Sequence, residues 1–434
     1  MKTGYCTDLN NARKNLLIFF AVFILTPFFP GAGLADGPKI KIKPMVTLSS
    51  RVESNFFLTE NNERDVYTLL FQPGIQIGIE TPKTKVLFHY TLEAYHYDDV
   101  NDVPAGQRPA DDNDYVGHLA ALDLKHHPTE RLTVGLDDGF YLTRYPTYYD
   151  RLSDNIEWRK YYINRLTPLI FYDFENKFSA GLRYRWTHKD YIDTGSGDFD
   201  EHRVILNLLY GPTRTTTFDL ECQHWIMNYE QGGSDYTSNQ VKLLFEKRYK
   251  YYAFDAGLAY HNRNFDDPLL ADKGILGYKI SILGENPPPP ESRRRLGKRY
   301  IRAKTHLYIA VERNFNNVGS LYTAHRFTLD AGHVFADKIN ARVKGYYQLS
   351  DYETYRGLTP TGNNDLRDDR TYRVSASLGY LLTRRLELSI MGGIEERDSN
   401  LSGFSYDNRF AVLKFDFNFD LASRGGYTEE SLYY

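Results

Sequence analysis

The amino-acid sequence predicts an all-β protein, a transmembrane antiparallel up-and-down β-barrel of about 18 strands, with 16 as the alternative count. Three observations predict it. Long segments alternate between apolar and polar residues, so one face of each strand suits lipid and the other suits water. Short and long connections alternate along the chain, as periplasmic turns and external loops do in outer-membrane barrels. The N-terminus reads as a secretory signal.

The signal comes first. Arg13 and Lys14 precede an apolar run of 14 residues, Leu16 to Phe29, and Gly33-Leu34-Ala35 offers a small-x-small cleavage site before Asp36. The run is short for a membrane-spanning helix. Residues 1–35 are expected to be removed, and residues 36–434 to form a single barrel domain. Cys6 leaves with the signal, so Cys222 stands alone in the mature chain. An internal disulfide is excluded and Cys–His metal spacing is absent.

Composition agrees. The chain has 36 Tyr and 26 Phe against 3 Trp and 4 Met. Tyr suits strands and membrane interfaces alike, with an apolar ring and a wet hydroxyl. A mean hydropathy of −0.53 excludes a helical membrane protein but not a barrel, where half of each strand is polar. A net charge of −3 gives no reason to expect a nucleic-acid partner.

The strand candidates are 44–57, 66–79, 84–98, 115–125, 130–144, 161–173, 176–192, 201–211, 214–228, 237–247, 250–264, 272–284, 299–314, 320–335, 338–351, 370–382, 385–398 and 406–421. In the last, Leu413, Phe415, Phe417, Phe419 and Leu421 oppose Lys414, Asp416, Asn418 and Asp420. In 178–187, Phe178, Leu182, Tyr184 and Trp186 oppose Ser179, Arg183, Arg185 and Thr187. In 218–223, Phe218, Leu220 and Cys222 oppose Asp219, Glu221 and Gln223. Arg165 and Pro168 interrupt 161–173, which predicts a bent strand, since Pro belongs at an edge or a bulge. Short turns fall at Thr81-Pro82-Lys83, His127-Pro128-Thr129, Gly211-Pro212-Thr213 and Ala336-Asp337-Lys338; long loops fall at 99–114, 145–160, 265–271, 352–369 and 399–405. Lys273 to Leu283 is taken as a strand because an even count needs it.

Parity assigns the lumen. The pore-lining candidates are Glu93, Tyr95, Arg183, Arg185, Glu221, Trp225, Lys304, Arg342, Lys344, Lys414 and Asp416. Their mixed signs predict a wet, moderately selective lumen or cross-lumen ion pairs, because only rings of one sign give strong charge selectivity. Tyr95 and Trp225 are candidates for stacking against sugar rings. The acids Asp98, Asp99, Asp102, Asp111, Asp112 and Asp114 lack the spacing of a helix-loop-helix Ca²⁺ site, and a solvated loop is the favoured reading. Pro287–Pro290 followed by Arg293–Arg295 predicts a polyproline turn on the periplasmic side, with docking of a periplasmic partner as the alternative. Gly232-Gly233-Ser234 is a routine turn, and the only hydrolase hint, His224 near Glu221 and Ser238, is weak. No enzyme, cofactor or metal is expected.

The runs Arg367-Asp368-Asp369-Arg370-Thr371-Tyr372, Leu378-Gly379-Tyr380-Leu381-Leu382, Arg397-Asp398-Ser399-Asn400 and Tyr406-Asp407-Asn408-Arg409, with Ser54-Asn55 and Pro73-Gly74-Ile75 near the start, resemble the putative β-barrel porin 2 family over nearly the whole mature chain. The resemblance implies an outer-membrane barrel in a Gram-negative cell and suggests polysaccharide export. The leading expectation is passive translocation of a hydrophilic solute, with export of a polysaccharide foremost. A general nutrient-uptake porin and a closed structural or assembly barrel are the alternatives. Expected partners are outer-membrane lipid and lipopolysaccharide, a polysaccharide substrate and a periplasmic export partner.

Overall fold

The computed structural model describes residues 38–144, 159–174, 177–192, 197–230, 233–286, 304–315, 322–383 and 385–418. The expected signal segment, the Pro287–Pro290 run with Arg293–Arg295, and Phe419, Asp420 and Leu421 lie outside the described residues.

The strands are β1 (Lys39–Glu53), β2 (Val66–Glu80), β3 (Thr84–Asp99), β4 (Tyr115–His126), β5 (Leu132–Thr143), β6 (Tyr161–Phe174), β7 (Phe178–Tyr191), β8 (Phe199–Thr213), β9 (Thr216–Tyr229), β10 (Tyr236–Arg248), β11 (Tyr252–Phe265), β12 (Lys273–Asn286), β13 (Thr305–Phe315), β14 (Tyr322–Phe335), β15 (Ile339–Leu358), β16 (Asn364–Leu381), β17 (Leu386–Ser399) and β18 (Tyr406–Asn418). Each pairs antiparallel with its chain neighbours, and β1 pairs with β18, so one 18-stranded sheet closes on itself. The 16-strand alternative is excluded, and Lys273–Asn286 is a strand.

Pairing fixes which side chains share a face, because directly opposed residues point the same way. On one face lie exposed apolar residues such as Ile40, Leu48, Leu182, Leu206, Leu243, Ile280, Val343, Leu413 and Phe415. On the other, side chains meet across strands that are not neighbours. Arg183 of β7 reaches Glu221 of β9, and His261 of β11 lies 3.4 Å from Asn314 Oδ1 of β13. Such contacts form only on the concave side, where side chains converge, so the polar set faces the barrel interior. The apolar set faces out, as a lipid-facing band requires.

The prolines sit where they cost least hydrogen bonding. The β6–β7 ladder skips Pro168, between Leu166↔Trp186 and Leu169↔Arg183. The β2–β3 ladder skips Pro73 in the same way. Proline has no N–H to donate, so the ladder breaks on one side only. Arg165, which blurred the β6 pattern, takes inward parity with Thr167.

One expectation is corrected. The segment 352–369 is not an irregular loop. β15 and β16 run on through it, with Arg356↔Leu366 to Leu358↔Asn364 paired beyond a register shift. The polar sequence hid these strands because it lacks the apolar alternation that marks the others.

The outer face carries a belt at each end. Near the short connections the aromatic rings run in a chain, with Phe178–Tyr210 centroids at 4.6 Å, Tyr210–Phe218 at 6.4 Å, Phe218–Phe245 at 5.2 Å and Phe245–Phe254 at 6.4 Å. Near the long connections, His96, His118, His188, His202 and His325 each lie on the outer face, three residues in from their strand's end. Four of them bond Asp114, Tyr90, Asp200 and Tyr184 respectively. A girdle of aromatic rings at a barrel's edge is what its interface with a membrane selects.

Candidate functional site: the inner wall

On β7 to β10 every second residue points inward, and polar residues at these positions form one continuous network. Arg183 Nη2 donates to Asn207 Oδ1 at 2.7 Å and to Glu221 Oε2 at 3.1 Å. Gln223 Nε2 donates to Glu221 Oε1 at 2.6 Å, and Lys242 Nζ lies 3.6 Å from the same carboxylate. Arg203 donates to Gln223 Oε1 at 3.0 Å and to Glu201 Oε2 at 2.6 Å. Charges drawn partly out of bulk water must be paired or hydrogen-bonded, and here acids and bases satisfy one another along the wall.

A second cluster centres on Asp330 of β14. It accepts from Arg342 Nε of β15 at 2.7 Å and lies 3.0 Å from His306 Nε2 of β13. Lys344 is the direct cross-strand partner of Asp330. A third lies at the seam of β1 and β18. Asp416 accepts from Thr47 Oγ1 at 2.6 Å and pairs with Lys414 at 3.2 Å. Glu53 accepts from Arg51 at 2.7 Å and from Asn408 at 3.0 Å.

Arginines toward the long-connection end lie over aromatic rings. Arg203 sits 4.0 Å from the Trp225 centroid, Arg326 4.3 Å from Tyr346, and Arg367 4.0 Å from Phe404. Phe410 is shared by Arg51 at 4.8 Å and Arg373 at 5.0 Å. Its ring lies over Gly393, where a Cβ would come within 2.5 Å, so this cross-strand position needs glycine.

At this end loops are tied to the inner wall and to one another. In the β1–β2 loop, Phe56 is buried against Tyr97 with centroids 5.0 Å apart. Arg64, from the same loop, grips Asp99 through Nε at 3.1 Å and again through Nη2, and donates to the Arg108 carbonyl at 2.7 Å. Glu60 accepts from the Gly403 amide, tying the β17–β18 loop to the first.

The sequence-derived residues fall as follows. Glu93, Tyr95, Arg183, Arg185, Glu221, Trp225, Arg342, Lys344, Lys414 and Asp416 carry inward parity. Glu93 accepts from Gln72 at 2.8 Å. Lys304 is different: it precedes β13 and pairs with Asp337 at 2.5 Å, both well exposed at the short-connection rim. Tyr95 and Trp225 do not present open faces to a sugar. Tyr95 is 8% exposed, stacked on Tyr115 at 4.7 Å and Tyr97 at 5.9 Å, and Trp225 is 1% exposed beneath Arg203 and beside His261. Parity finds such residues but does not show what packs on them.

Two acids of the acidic segment hold local bonds. Asp99 holds Arg64 and the Ala110 amide, while Asp114 holds the Tyr97 amide at 2.8 Å and His96 at 2.7 Å. Among the described residues no group of three or more ligands could hold a metal ion. His224 faces outward and Glu221 inward, so they form no catalytic arrangement. Sequence reasoning placed Gln223 on the polar face without counting it as pore-lining, and missed Asn207 and Asn408; the amides of all three join the charged groups. Their signal was polar character on inward parity.

The family described as putative beta-barrel porin 2 matches residues 310–419, the last six strands, rather than nearly the whole chain. No curated protein sequence matches the chain. Similar solved structures include OpdK of Pseudomonas aeruginosa, determined with vanillate, at 13% identity and a TM-score of 0.47, covering 87% of this chain and 99% of that one. OccK7 (OpdD) of Pseudomonas aeruginosa is 10% identical with a TM-score of 0.48 over 88% and 99%, and OccAB2 of Acinetobacter baumannii is 9% identical with a TM-score of 0.48 over 88% and 98%. The closed barrel and the family match define a porin-like outer-membrane β-barrel.

Proposed function

We propose that this barrel is an outer-membrane pore for small hydrophilic solutes, of the nutrient-uptake kind. The carrying observation is the Arg183–Asn207–Glu221–Gln223–Arg203 network on the inner wall. A barrel of this size encloses space for water, and a charged, hydrogen-bonded wall supports its passage. The inward loops at Phe56 and Arg64 favour small solutes. The covered rings of Tyr95 and Trp225 weigh against a stacked track for a polysaccharide, so export is the lesser reading. The short-connection end is read as periplasmic.

Two experiments test this. Refolded protein in a planar bilayer should give stable conductance steps that acidic and neutral oligosaccharides leave open. Block by oligosaccharide would turn the assignment to export, and insertion without conductance to a closed structural barrel. For orientation, in a Cys222→Ser background, Ser402→Cys should react with an impermeant maleimide on intact cells and Lys338→Cys only after lysis.

A further inference from the structure

A groove of about 530 Å³ opens on the outer face at the short-connection end, between β9 and β12. Its floor is Phe245, Phe254 and Ile282; its rim is Tyr249 and Tyr252, stacked at 4.4 Å; its one charged residue is Lys247, beside Thr216. All four strands contribute outward-facing residues, so the groove faces the region that lipid fills. Lys247 Nζ bonds Thr216 Oγ1 at 2.8 Å and Thr215 Oγ1 at 3.2 Å, and forms no ion pair among the described residues. The neighbouring acids are engaged elsewhere: Glu246 lies 3.5 Å and Glu285 4.0 Å from Arg248, which points inward.

We propose that this groove binds one phospholipid of the periplasmic leaflet, its phosphate on Lys247 and Thr216 and an acyl chain across Phe245, Phe254 and Ile282. The chemistry is complementary at both ends. A half-buried ammonium without a carboxylate partner suits an anionic phosphate, flanked by hydroxyls that donate to it. The aromatic and aliphatic floor continues the apolar band, so a chain lying on it stays in hydrocarbon. Tyr249 and Tyr252 sit at headgroup level, where amphipathic rings are favoured. The leaflet assignment rests on the orientation proposed above.

The test is native mass spectrometry of the detergent-solubilised barrel with added phosphatidylglycerol, or with diacylglycerol of the same chains as a phosphate-free probe. The wild type should retain one phosphatidylglycerol per barrel and little diacylglycerol. Lys247→Glu should lower retention about tenfold, and Lys247→Gln by less, because the charge-assisted contact is lost. Lys250→Glu, beyond the groove lining, should retain lipid as the wild type does. Heat-modifiable mobility of each variant confirms that it is folded. Equal retention by the wild type and Lys247→Glu, or equal retention of diacylglycerol, would overturn the site. The readout needs no conductance, so a barrel that fails as a pore can still hold this lipid, and the maleimide assay separately reports the leaflet.

Discussion

Asn408 of β18 donates from Nδ2 to Oε1 of Glu53 on β1 at 3.0 Å, and its Oδ1 accepts the Asn55 amide at 3.2 Å. One buried side chain therefore bridges the last strand to the first and to the loop that follows it. Replacing Asn408 with Ala takes the acceptor from the buried Asn55 amide and leaves Glu53 Oε1 with Arg51 alone, which costs about 1–3 kcal/mol. The urea midpoint, read by heat-modifiable mobility, should fall for Asn408→Ala and hold for Arg409→Ala, whose side chain is exposed on the outer face.

Asp330 receives Arg342 and lies beside His306. Asp330→Ala removes the carboxylate that Arg342 and His306 share, and the expected loss is about 2–3 kcal/mol. This is below the cost for a wholly buried pair because the Arg342 side chain is 32% exposed. Asp330→Asn, which can still accept a hydrogen bond, should recover part of it in the same unfolding assay.

Arg183 and Glu221 occupy one network with opposite charge, so their neutral variants should act in opposite directions. In a salt gradient, Arg183→Gln should move the reversal potential toward cation selectivity and Glu221→Gln toward anion selectivity. Shifts of the same sign would show that neither side chain borders the permeation path.

Trp225 is packed rather than presented. Trp225→Ala removes a large buried ring and should lower stability by about 3–5 kcal/mol. Conductance in oligosaccharide should match the wild type in protein that remains folded. A selective change in sugar block without loss of stability would return Trp225 to a binding role.

The Arg64–Asp99 pair anchors the β1–β2 loop in the mouth. Arg64→Ala should cost about 1–3 kcal/mol and raise both single-channel conductance and open-channel noise, since the loop loses its grip on β3. Unchanged conductance would place the constriction deeper in the barrel.

The alternation of Leu413, Phe415 and Phe417 with Lys414 and Asp416 told the fold from local chemistry alone. A strand that meets lipid on one side and water on the other must repeat with period two, and the repeat survives without knowledge of its neighbours. The strand count and the inward parity of Arg183, Glu221, Arg342 and Lys414 were legible for that reason, as were the bounds of most strands within a few residues. The polar continuation of β15 and β16 was not, because it lacks the apolar half of the pattern. What Trp225 touches, that Asn408 closes the seam, and that Lys247 faces a groove were decided only by tertiary structure. Those facts depend on register between strands far apart in the chain, and a one-residue slip would change every such contact while leaving the sequence pattern intact.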